Sequence, residues 1–197
     1  MSQDHDGVPS FALGDGRALR PLEDDDATEL HALIEANRPR LARWMAWAAG
    51  HETAAQTLEF IRSTQRQMAG NHGLQLALTV DRAIAGMVGF HAIDWQNRAT
   101  SLGYWLAEEH EGRGTMTSAV RVLTQHAFGH WGLNRVEIRA DIENERSRAI
   151  PERLGFRHEG TLRQSYRIAG ERYSDDAVYA MLAADWPGAQ RRETSSR

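Results

Sequence analysis

The chain lacks several residue types and patterns, and each absence excludes a class of site. There is no cysteine among its 197 residues, which excludes disulfides, zinc–thiolate sites and a cysteine nucleophile or acyl carrier. There is no lysine either, since all 23 cationic side chains are arginine. A nucleotide-binding P-loop requires Gly-x-x-x-x-Gly-Lys followed by Ser or Thr, so that motif is excluded. No apolar run reaches the roughly 18 residues of a membrane-spanning helix.

The charge balance also lacks a basic excess. The formal net charge at pH 7 is −4, which offers no basic surface for nucleic acid and mildly favours a cationic substrate. The first six residues are acidic and polar, unlike a signal peptide. Together with the absence of cysteine, these features predict a cytoplasmic protein with neither a nucleic-acid nor a membrane partner.

Apolar periodicity predicts a single α/β domain over residues 15–186, between flexible tails at 1–14 and 187–197. The predicted helices are Asp24–Asn37, Thr53–Met68, one that begins after Gly114, and Glu145–Arg153. The predicted strands are Arg17–Pro21, Leu74–Val80, Ile84–Ile93, Thr100–Ala107, Arg135–Ala140, His158–Ile168 and Arg172–Ala183, the last two joined by a turn near Ala169-Gly170. Hairpins precede a βαβ unit, so a mixed sheet with flanking helices is expected.

The most informative stretch is 108–119, Glu-Glu-His-Glu-Gly-Arg-Gly-Thr-Met-Thr-Ser-Ala, between a predicted strand and a predicted helix. Gly112 and Gly114 permit a tight turn, and the unpaired amides of the helix start attract phosphate. A dinucleotide loop would need a third glycine and alternating βα units before it, which this chain lacks. A loop for the pyrophosphate of an acyl-CoA remains, although two glycines alone equally suit a simple tight turn.

Further pieces of sequence identify a family. They are Gly103-Tyr104-Trp105-Leu106, Glu111-Gly112-Arg113-Gly114, Leu133-Asn134-Arg135-Val136, Asn144-Glu145-Arg146-Ser147, Glu152-Arg153-Leu154-Gly155-Phe156 and Asp175 through Leu182. In this order and spacing the chain resembles the GNAT superfamily of N-acetyltransferases, and within it the RimJ/RimL type that acetylates the N-termini of ribosomal proteins. The resemblance spans roughly residues 15–186.

The resemblance implies a fold, a cofactor and a set of site residues. The fold would be a mostly antiparallel sheet, splayed at the cofactor cleft and flanked by about four helices. Acetyl-CoA would be held by the strand end Leu106 and Ala107, by the amides of the glycine loop and by Asn144. The loop residues expected to contact it are Gly112, Arg113, Gly114, Thr115, Met116 and Thr117, with the Arg113 guanidinium as an extra phosphate partner. The family usually has Gln or Arg where this chain has Glu111, whose carboxylate is expected to point away from phosphate.

The catalytic residues expected from the resemblance are Ser147 and Tyr166. Ser147 would protonate the leaving thiolate, or would merely follow the helix cap at Asn144. Some relatives carry a glutamate base where Tyr166 stands, and tyrosine, with a pKa of about 10, is a poor base unless perturbed. Glu137, Asp94 and Asp175 are the other candidates for the base, with ion pairing or ordering of the last hairpin as their structural roles.

Several aromatic and histidine positions have two interpretations. Either Tyr104 or Trp105 would enter the cleft while the other packs, because neighbours alternate along a strand. Trp44 and Trp47 would line the acceptor mouth or anchor the core. His126 and His130 have helical spacing without a third ligand, which favours a solvated helix face over a metal site.

These features predict an acetyl-CoA-dependent enzyme that acetylates a primary amine by direct attack in a ternary complex. The acceptor is either a protein N-terminus or a small amine such as a polyamine or an antibiotic. A non-catalytic acyl-CoA-binding protein on the same fold is the alternative of a different class. A homodimer is left open.

Overall fold

The computed structural model describes residues 9–168 and 172–187, which form one eight-stranded sheet with helices on both faces. The strands are β1 (Phe11–Gly14), β2 (Arg17–Pro21), β3 (Leu74–Val80), β4 (Ala83–Asp94), β5 (Ala99–Leu106), β6 (Arg135–Asp141), β7 (Arg157–Arg167) and β8 (Tyr173–Leu182). The helices are α1 (Ala27–Ala42), α2 (Ala46–Gly50), α3 (Ala54–Ala69), α4 (Thr115–Gly129) and α5 (Glu145–Arg153). None of the helices in this described part is long and apolar enough to cross a membrane.

The strand order is β1-β2-β3-β4-β5-β6-β8-β7. Every neighbouring pair is antiparallel except β5 and β6, which run parallel. A parallel pair needs a crossover connection, and α4 provides it. The expected mixed, mostly antiparallel sheet is thus confirmed. The five α-helices of the described residues include one short helix, α2, that the sequence pattern does not predict.

Two apolar clusters pack on opposite faces of the sheet. One joins α1, α2 and α3 to the sheet through residues such as Leu30, Ile61 and Met87. The other joins α4 and α5 to it through Val120, Leu123 and their neighbours. The two layers leave the ends of β5 and β6 between them, and this is where the clefts described below open.

The N-terminal tail predicted over 1–14 is wrong for its last four residues, because Phe11–Gly14 form β1 and pair with β2. Asp15 and Gly16 make the tight turn between these strands, with φ angles of 51° and 71°. A strand of only four residues is too short to show a clear alternation of apolar and polar residues. Its sequence is therefore easily taken for part of a tail. The remaining predicted tails (1–8 and 188–197) and the predicted turn at Ala169-Gly170 lie outside the described residues.

Candidate active site

The sheet opens between β5 and β6. These parallel strands pair only from Ala99 opposite Arg135 to Leu102 opposite Ile138. Beyond that point β5 follows β4 and β6 follows β8, so the two strands diverge. A strand edge with unpaired backbone groups can hydrogen-bond an extended ligand. The diverging part of β5, residues 103–106, is therefore suited to the amide groups of a long, chain-like molecule.

The glycine corner lies at the end of this gap. Gly114 precedes α4 with φ +72°, and Gly112 has φ +75°. The left-handed region is open to glycine at no steric cost. The first amide that bonds back into the helix is that of Ser118, which donates to the Gly114 carbonyl at 3.0 Å. Within the described ranges the amides of 112–117 find no acceptor. Six free amides near the positive end of a helix are the arrangement that attracts an anion, which is what the sequence predicts for this corner.

A cleft of about 1200 Å³ runs from this corner along β5 to the start of α5. Five arginines line it, from α1 and the residue after it, from α4 and from α5, and sequence reasoning does not single them out: Arg40, Arg43, Arg121, Arg146 and Arg153. Of these, Arg121 carries a local signal, since it stands seven residues after Gly114 and therefore about two turns along the same helix. The size of the cleft and its cationic lining fit a long ligand with several phosphates.

The structure brings most of the predicted cofactor residues to this one cleft. Lining it are Leu106, Gly112, Gly114, Thr115, Met116, Thr117 and Asn144, with Ser147 beside them. Two of the predicted residues do not line it. The amide of the fully buried Ala107 already donates to the Ala85 carbonyl at 2.7 Å, and its carbonyl accepts from His110. The Arg113 side chain is exposed and lies away from the cleft, so only its backbone contributes to the corner.

Glu111 lines the cleft and is neutralised by two arginines. Its carboxylate pairs with Arg40 of α1 at 2.5 Å and with Arg146 of α5. Arg40 also donates to the Leu106 carbonyl and to Asn37, which in turn accepts from the Glu108 amide at 3.1 Å. Glu111 thus ties α1, the glycine loop and α5 together. Its partners stand 71 and 35 residues away in the chain, so no local pattern could indicate them.

A second cleft, of about 750 Å³, approaches β5 from the side of α3, β7 and β8. The exposed parts of Trp47, Phe60 and Tyr166 line it, so it opens at the surface. The residues common to both clefts are Trp44, Met45, Tyr104, Trp105, Asn144 and Ser147. The two clefts therefore meet at the point where the two strands have diverged.

Ser147 is held at this meeting point by its neighbours. The Asn144 side chain caps α5 and accepts from the Ser147 amide at 3.1 Å, as predicted for a helix cap. The Tyr104 hydroxyl donates to the Ser147 carbonyl at 2.9 Å, and the Ser147 hydroxyl lies 3.5 Å from the Tyr104 oxygen. Burial raises the pKa of Tyr104 above its ordinary value, so this hydroxyl stays protonated at neutral pH. Of Tyr104 and Trp105, the two aromatic residues of β5 considered for the cleft, Tyr104 is the one whose hydroxyl contacts Ser147.

Trp105 both packs in the core and lines the clefts, the two roles considered for it. It is 8% exposed and packs with Met87 and Ile84, yet its side also lines the two clefts. Trp44 lines both clefts as well, and Trp47 is 40% exposed with its ring 6.4 Å from that of Trp105. The two tryptophans before α3 thus line the mouth of the second cleft rather than anchor the core.

Tyr166 is 43% exposed and lies in the second cleft, not in the first. The other candidates for the base lie elsewhere. Burial alone would raise the pKa of Glu137, but hydrogen bonds from Arg135 and Arg139 hold it below its ordinary value. Hydrogen bonds from Asn97 lower the pKa of Asp94, which lines neither cleft. Asp175 accepts from the Gln164 amide at 2.8 Å and orders the last hairpin.

The histidine pair on α4 differs from the solvated helix face expected for it. His126 is half-buried, stacks on His130 at 4.8 Å and meets the rings of Phe11 and Trp131. Burial and the neighbouring His130 lower its pKa to about 4. β1 covers this part of α4. Because the sequence pattern does not predict β1, it does not predict the burial of His126 either. Within the described ranges no three His, Asp or Glu side chains are grouped to hold a metal.

Comparison with known proteins identifies the family. Residues 17–157 match the family model described as an acetyltransferase (GNAT) domain. The chain belongs to the GNAT acetyltransferase family. It is 39% identical to YdaF of Bacillus subtilis (strain 168) over 171 residues, which cover 86% of this chain and 93% of YdaF. It is 24% identical to the ribosomal-protein-serine acetyltransferase of Escherichia coli (strain K12) over 173 residues, 88% of this chain and 96% of that one.

Solved GNAT structures superimpose closely. The crystal structure of the microcin C7 self-immunity acetyltransferase MccE, in complex with acetyl-CoA and AMP, matches with a TM-score of 0.82 and 30% identity over 86% of this chain and 94% of that chain. RimL, a ribosomal L7/L12 α-N-protein acetyltransferase solved with coenzyme A, shares the fold with a TM-score of 0.85 and 24% identity over 88% and 98% of the two chains.

This GNAT chain is an acetyl-CoA-dependent N-acetyltransferase with an amine acceptor. Its first cleft has the features that acetyl-CoA needs. The free amides of the glycine corner and the lining arginines suit the phosphates, and the unpaired edge of β5 suits the pantetheine amides. The fold, the activity and the cofactor expected from the sequence are all confirmed.

Proposed function

We propose that the chain acetylates the α-amine of a protein N-terminus by direct attack in a ternary complex. The observation that carries this proposal is the meeting of the two clefts at Tyr104 and Ser147. One cleft has the anion corner and the other has aromatic walls open to the surface. Acetyl-CoA and an acceptor can therefore be bound at the same time, and the chain needs no covalent relay through one of its own side chains.

Acetyl-CoA, when bound, supplies the thioester carbonyl that the amine attacks. The amides of 112–117 and the cleft arginines would bind its phosphates, and Leu106 and Asn144 would contact its pantetheine arm. The Ser147 hydroxyl, supported by the protonated Tyr104, is the donor that returns a proton to the departing thiolate. A hydroxyl is a weak acid, yet it need only lend a hydrogen bond and relay a proton.

The acceptor amine requires little help to lose its proton. An α-amine has a pKa of about 7.7–8.0, so a sizeable neutral fraction exists near pH 7. The second cleft, which we call the acceptor cleft, holds Tyr166. Tyr166 then orients the amine or a water instead of acting as a strong base. An acceptor with the basicity of a lysine side chain, whose pKa is about 10.4, would have a far smaller neutral fraction near pH 7. This contrast favours an α-amine over an aliphatic polyamine.

Relatives support the same class of acceptor. The name of the Escherichia coli relative specifies a serine of a ribosomal protein, and RimL is described as an α-N-protein acetyltransferase. Another relative, 25% identical over 153 residues, is a spermidine N(1)-acetyltransferase, so a polyamine is the alternative that the experiment must test. A homodimer stays a prediction, which light scattering on the purified chain checks.

The test is an acceptor screen. The chain is incubated with acetyl-CoA and either a peptide that begins with Ser, the same peptide with a blocked N-terminus, or spermidine. Release of free CoA and the mass of the product are measured. We expect acetylation of the free peptide only. Acetylation of spermidine but not of the peptide would overturn the proposal, and binding of acetyl-CoA without thiol release for any amine would point to a non-catalytic protein.

A further inference from the structure

Asp176 is a half-buried carboxylate that lines the acceptor cleft. It lies on β8 directly opposite Asp141 of β6, another residue of the same cleft. The two carboxylates differ in what surrounds them. Asp141 pairs with Arg172 at 3.1 Å and also accepts from the Glu143 amide and the Ser174 hydroxyl. The charge of Asp141 is therefore compensated.

The charge of Asp176 is not compensated. Its two oxygens accept from hydroxyls alone, one from Ser165 at 2.8 Å and the other from Ser174 at 3.2 Å. In the parts of the chain that the structure describes, no arginine, histidine or other cation lies within ion-pairing distance of it. A carboxylate offers about four lone-pair sites, so two hydroxyl donors leave capacity for a ligand that carries a positive charge.

The other titratable groups of the cleft do not offset this charge. Arg139 lines the cleft but pairs with Glu137 at 2.6 Å. Burial lowers the pKa of His91, and burial together with His31 and Arg38 lowers that of His51. Both histidines of the cleft are thus neutral at pH 7. Asp176 is the unpaired charge that an incoming acceptor meets.

Aromatic side chains around Asp176 also suit the binding of a cation. The exposed faces of Trp47, Phe60 and Tyr166 line the same cleft as Asp176. Aromatic faces attract guanidinium and ammonium groups through their quadrupole. A cleft that combines such faces with one unpaired carboxylate discriminates by charge, in addition to any discrimination by shape.

A bulge in β7 produces this arrangement. Between the pairs Leu162–Asp176 and Tyr166–Ser174, β7 advances four residues while β8 advances two. Gln164 takes a left-handed φ of 49° within it. Bulges re-aim side chains beside functional sites. Here the bulge brings the Ser165 hydroxyl onto Asp176 and places Tyr166 at the acceptor cleft.

We propose that Asp176 is a specificity-determining residue that selects acceptors with a positive charge next to the reacting amine. On the proposed function, which this inference refines, the preferred substrates are proteins whose N-terminal residue is followed closely by Arg or Lys. Asp176 binds that neighbouring cation and takes no part in proton transfer. The Ser174 hydroxyl bonds to both Asp176 and Asp141, and the Asp141 carbonyl accepts from the Asn144 amide. Asp176 is therefore connected by hydrogen bonds to the start of α5, where Ser147 lies.

The test compares two peptides that differ by one charge. One begins Ser-Arg, and the other begins Ser-citrulline, which has nearly the same shape without the charge. Acetylation is followed as kcat/KM, and binding in the absence of acetyl-CoA is followed by the fluorescence of the cleft tryptophans. The variants are Asp176→Asn, Asp176→Glu and the control Asp185→Asn. Asp185 is exposed, follows β8 and lines neither cleft. The control Asp185→Asn therefore removes the same charge at a distance from the acceptor cleft.

We expect the wild-type chain and Asp185→Asn to prefer the arginine peptide about tenfold or more in both measurements, the range of a hydrogen bond to a charged group. Asp176→Asn should lose the preference, so that the values of kcat/KM for the two peptides become nearly equal, and Asp176→Glu should keep part of it. A preference that survives in Asp176→Asn, or that is absent from the wild-type chain, overturns the inference. If neither peptide is acetylated, the proposed function fails, and the fluorescence titration still decides the role of Asp176.

Discussion

Gly114 offers the sharpest test of the cofactor corner. A Cβ built at this position meets nothing within 4 Å, so a side chain clashes with no part of the described protein. The cost to folding is confined to the left-handed backbone, φ +72°, which is about 1–2 kcal/mol for a non-glycine residue and less for Asp or Asn. Gly114→Asp should therefore fold, with a modestly lower melting temperature.

The cost to cofactor binding should be much larger. The new carboxylate stands among the amides that receive the phosphates. At about 5 Å, one pair of like charges costs roughly 1 kcal/mol in water and about 3 kcal/mol at an effective dielectric constant near 20. Displacing a single amide from a charged acceptor adds about 1.5–3 kcal/mol. The sum is about 2.5–6 kcal/mol, so the Kd for CoA should rise by roughly 10²-fold or more.

The control is Gly132→Asp. Gly132 also has a left-handed φ, +64°, and open space around its Cβ, but it lies in the turn after α4 and away from both clefts. Calorimetric titration with CoA should show near wild-type affinity for this variant and a Kd raised by roughly 10²-fold or more for Gly114→Asp. If Gly114→Asp binds CoA as tightly as Gly132→Asp does, the pyrophosphate does not lie at this corner and the reasoning is refuted.

The remaining predictions concern four side chains. Ser147→Ala should lower kcat by about 10²-fold or less and leave the Kd for CoA unchanged; an undiminished kcat would make Ser147 purely structural. Tyr166→Phe should keep the pH profile of kcat/KM, which rises and levels off near 7.7–8.0 with the amine; loss of the basic limb would make Tyr166 the titrating group. Glu111→Gln removes a negative charge from the cofactor cleft and should tighten CoA binding several-fold in calorimetry while lowering the melting temperature. Burial lowers the pKa of His126 to about 4, so the unfolded chain binds this proton first and stability should fall as pH drops from about 6.5 towards 4, a slope that His126→Gln should reduce in denaturant titrations.

Elements with strong local signals could be predicted closely. The helix Glu145–Arg153 begins and ends where expected, because Asn144 caps it and Gly155 follows it with φ +79°. The tight turn at Gly112 and Gly114 follows the sequence as well, since both glycines take the left-handed φ that such a turn requires. α1 instead continues beyond the predicted end at Asn37, through Pro39, to Ala42. Packing against α2 and α3 outweighs the local tendency of a chain to leave the helix before a proline.

Which side chain enters which cleft could not be predicted in the same way. Asp175 is among the sequence candidates for the base and Asp176 is not, yet Asp176 lines the acceptor cleft while Asp175 binds the backbone of the bulge. The parity of neighbours on a strand is set by register, and register here depends on the two extra residues that β7 inserts before Tyr166. Such an insertion leaves no periodic trace in the sequence.

The chemistry of this chain depends on where one strand pairing stops. The last pair between β5 and β6 is Leu102 with Ile138, and two more residues of pairing would place Tyr104 opposite Ala140. The backbone groups of residues 103 and 104 that now face the gap would then bond to β6. Because pairing stops where it does, Tyr104 reaches α5 and supports Ser147, and one cleft enters from each side. The position of that last pair, more than any single polar residue, determines that a donor and an acceptor can meet here.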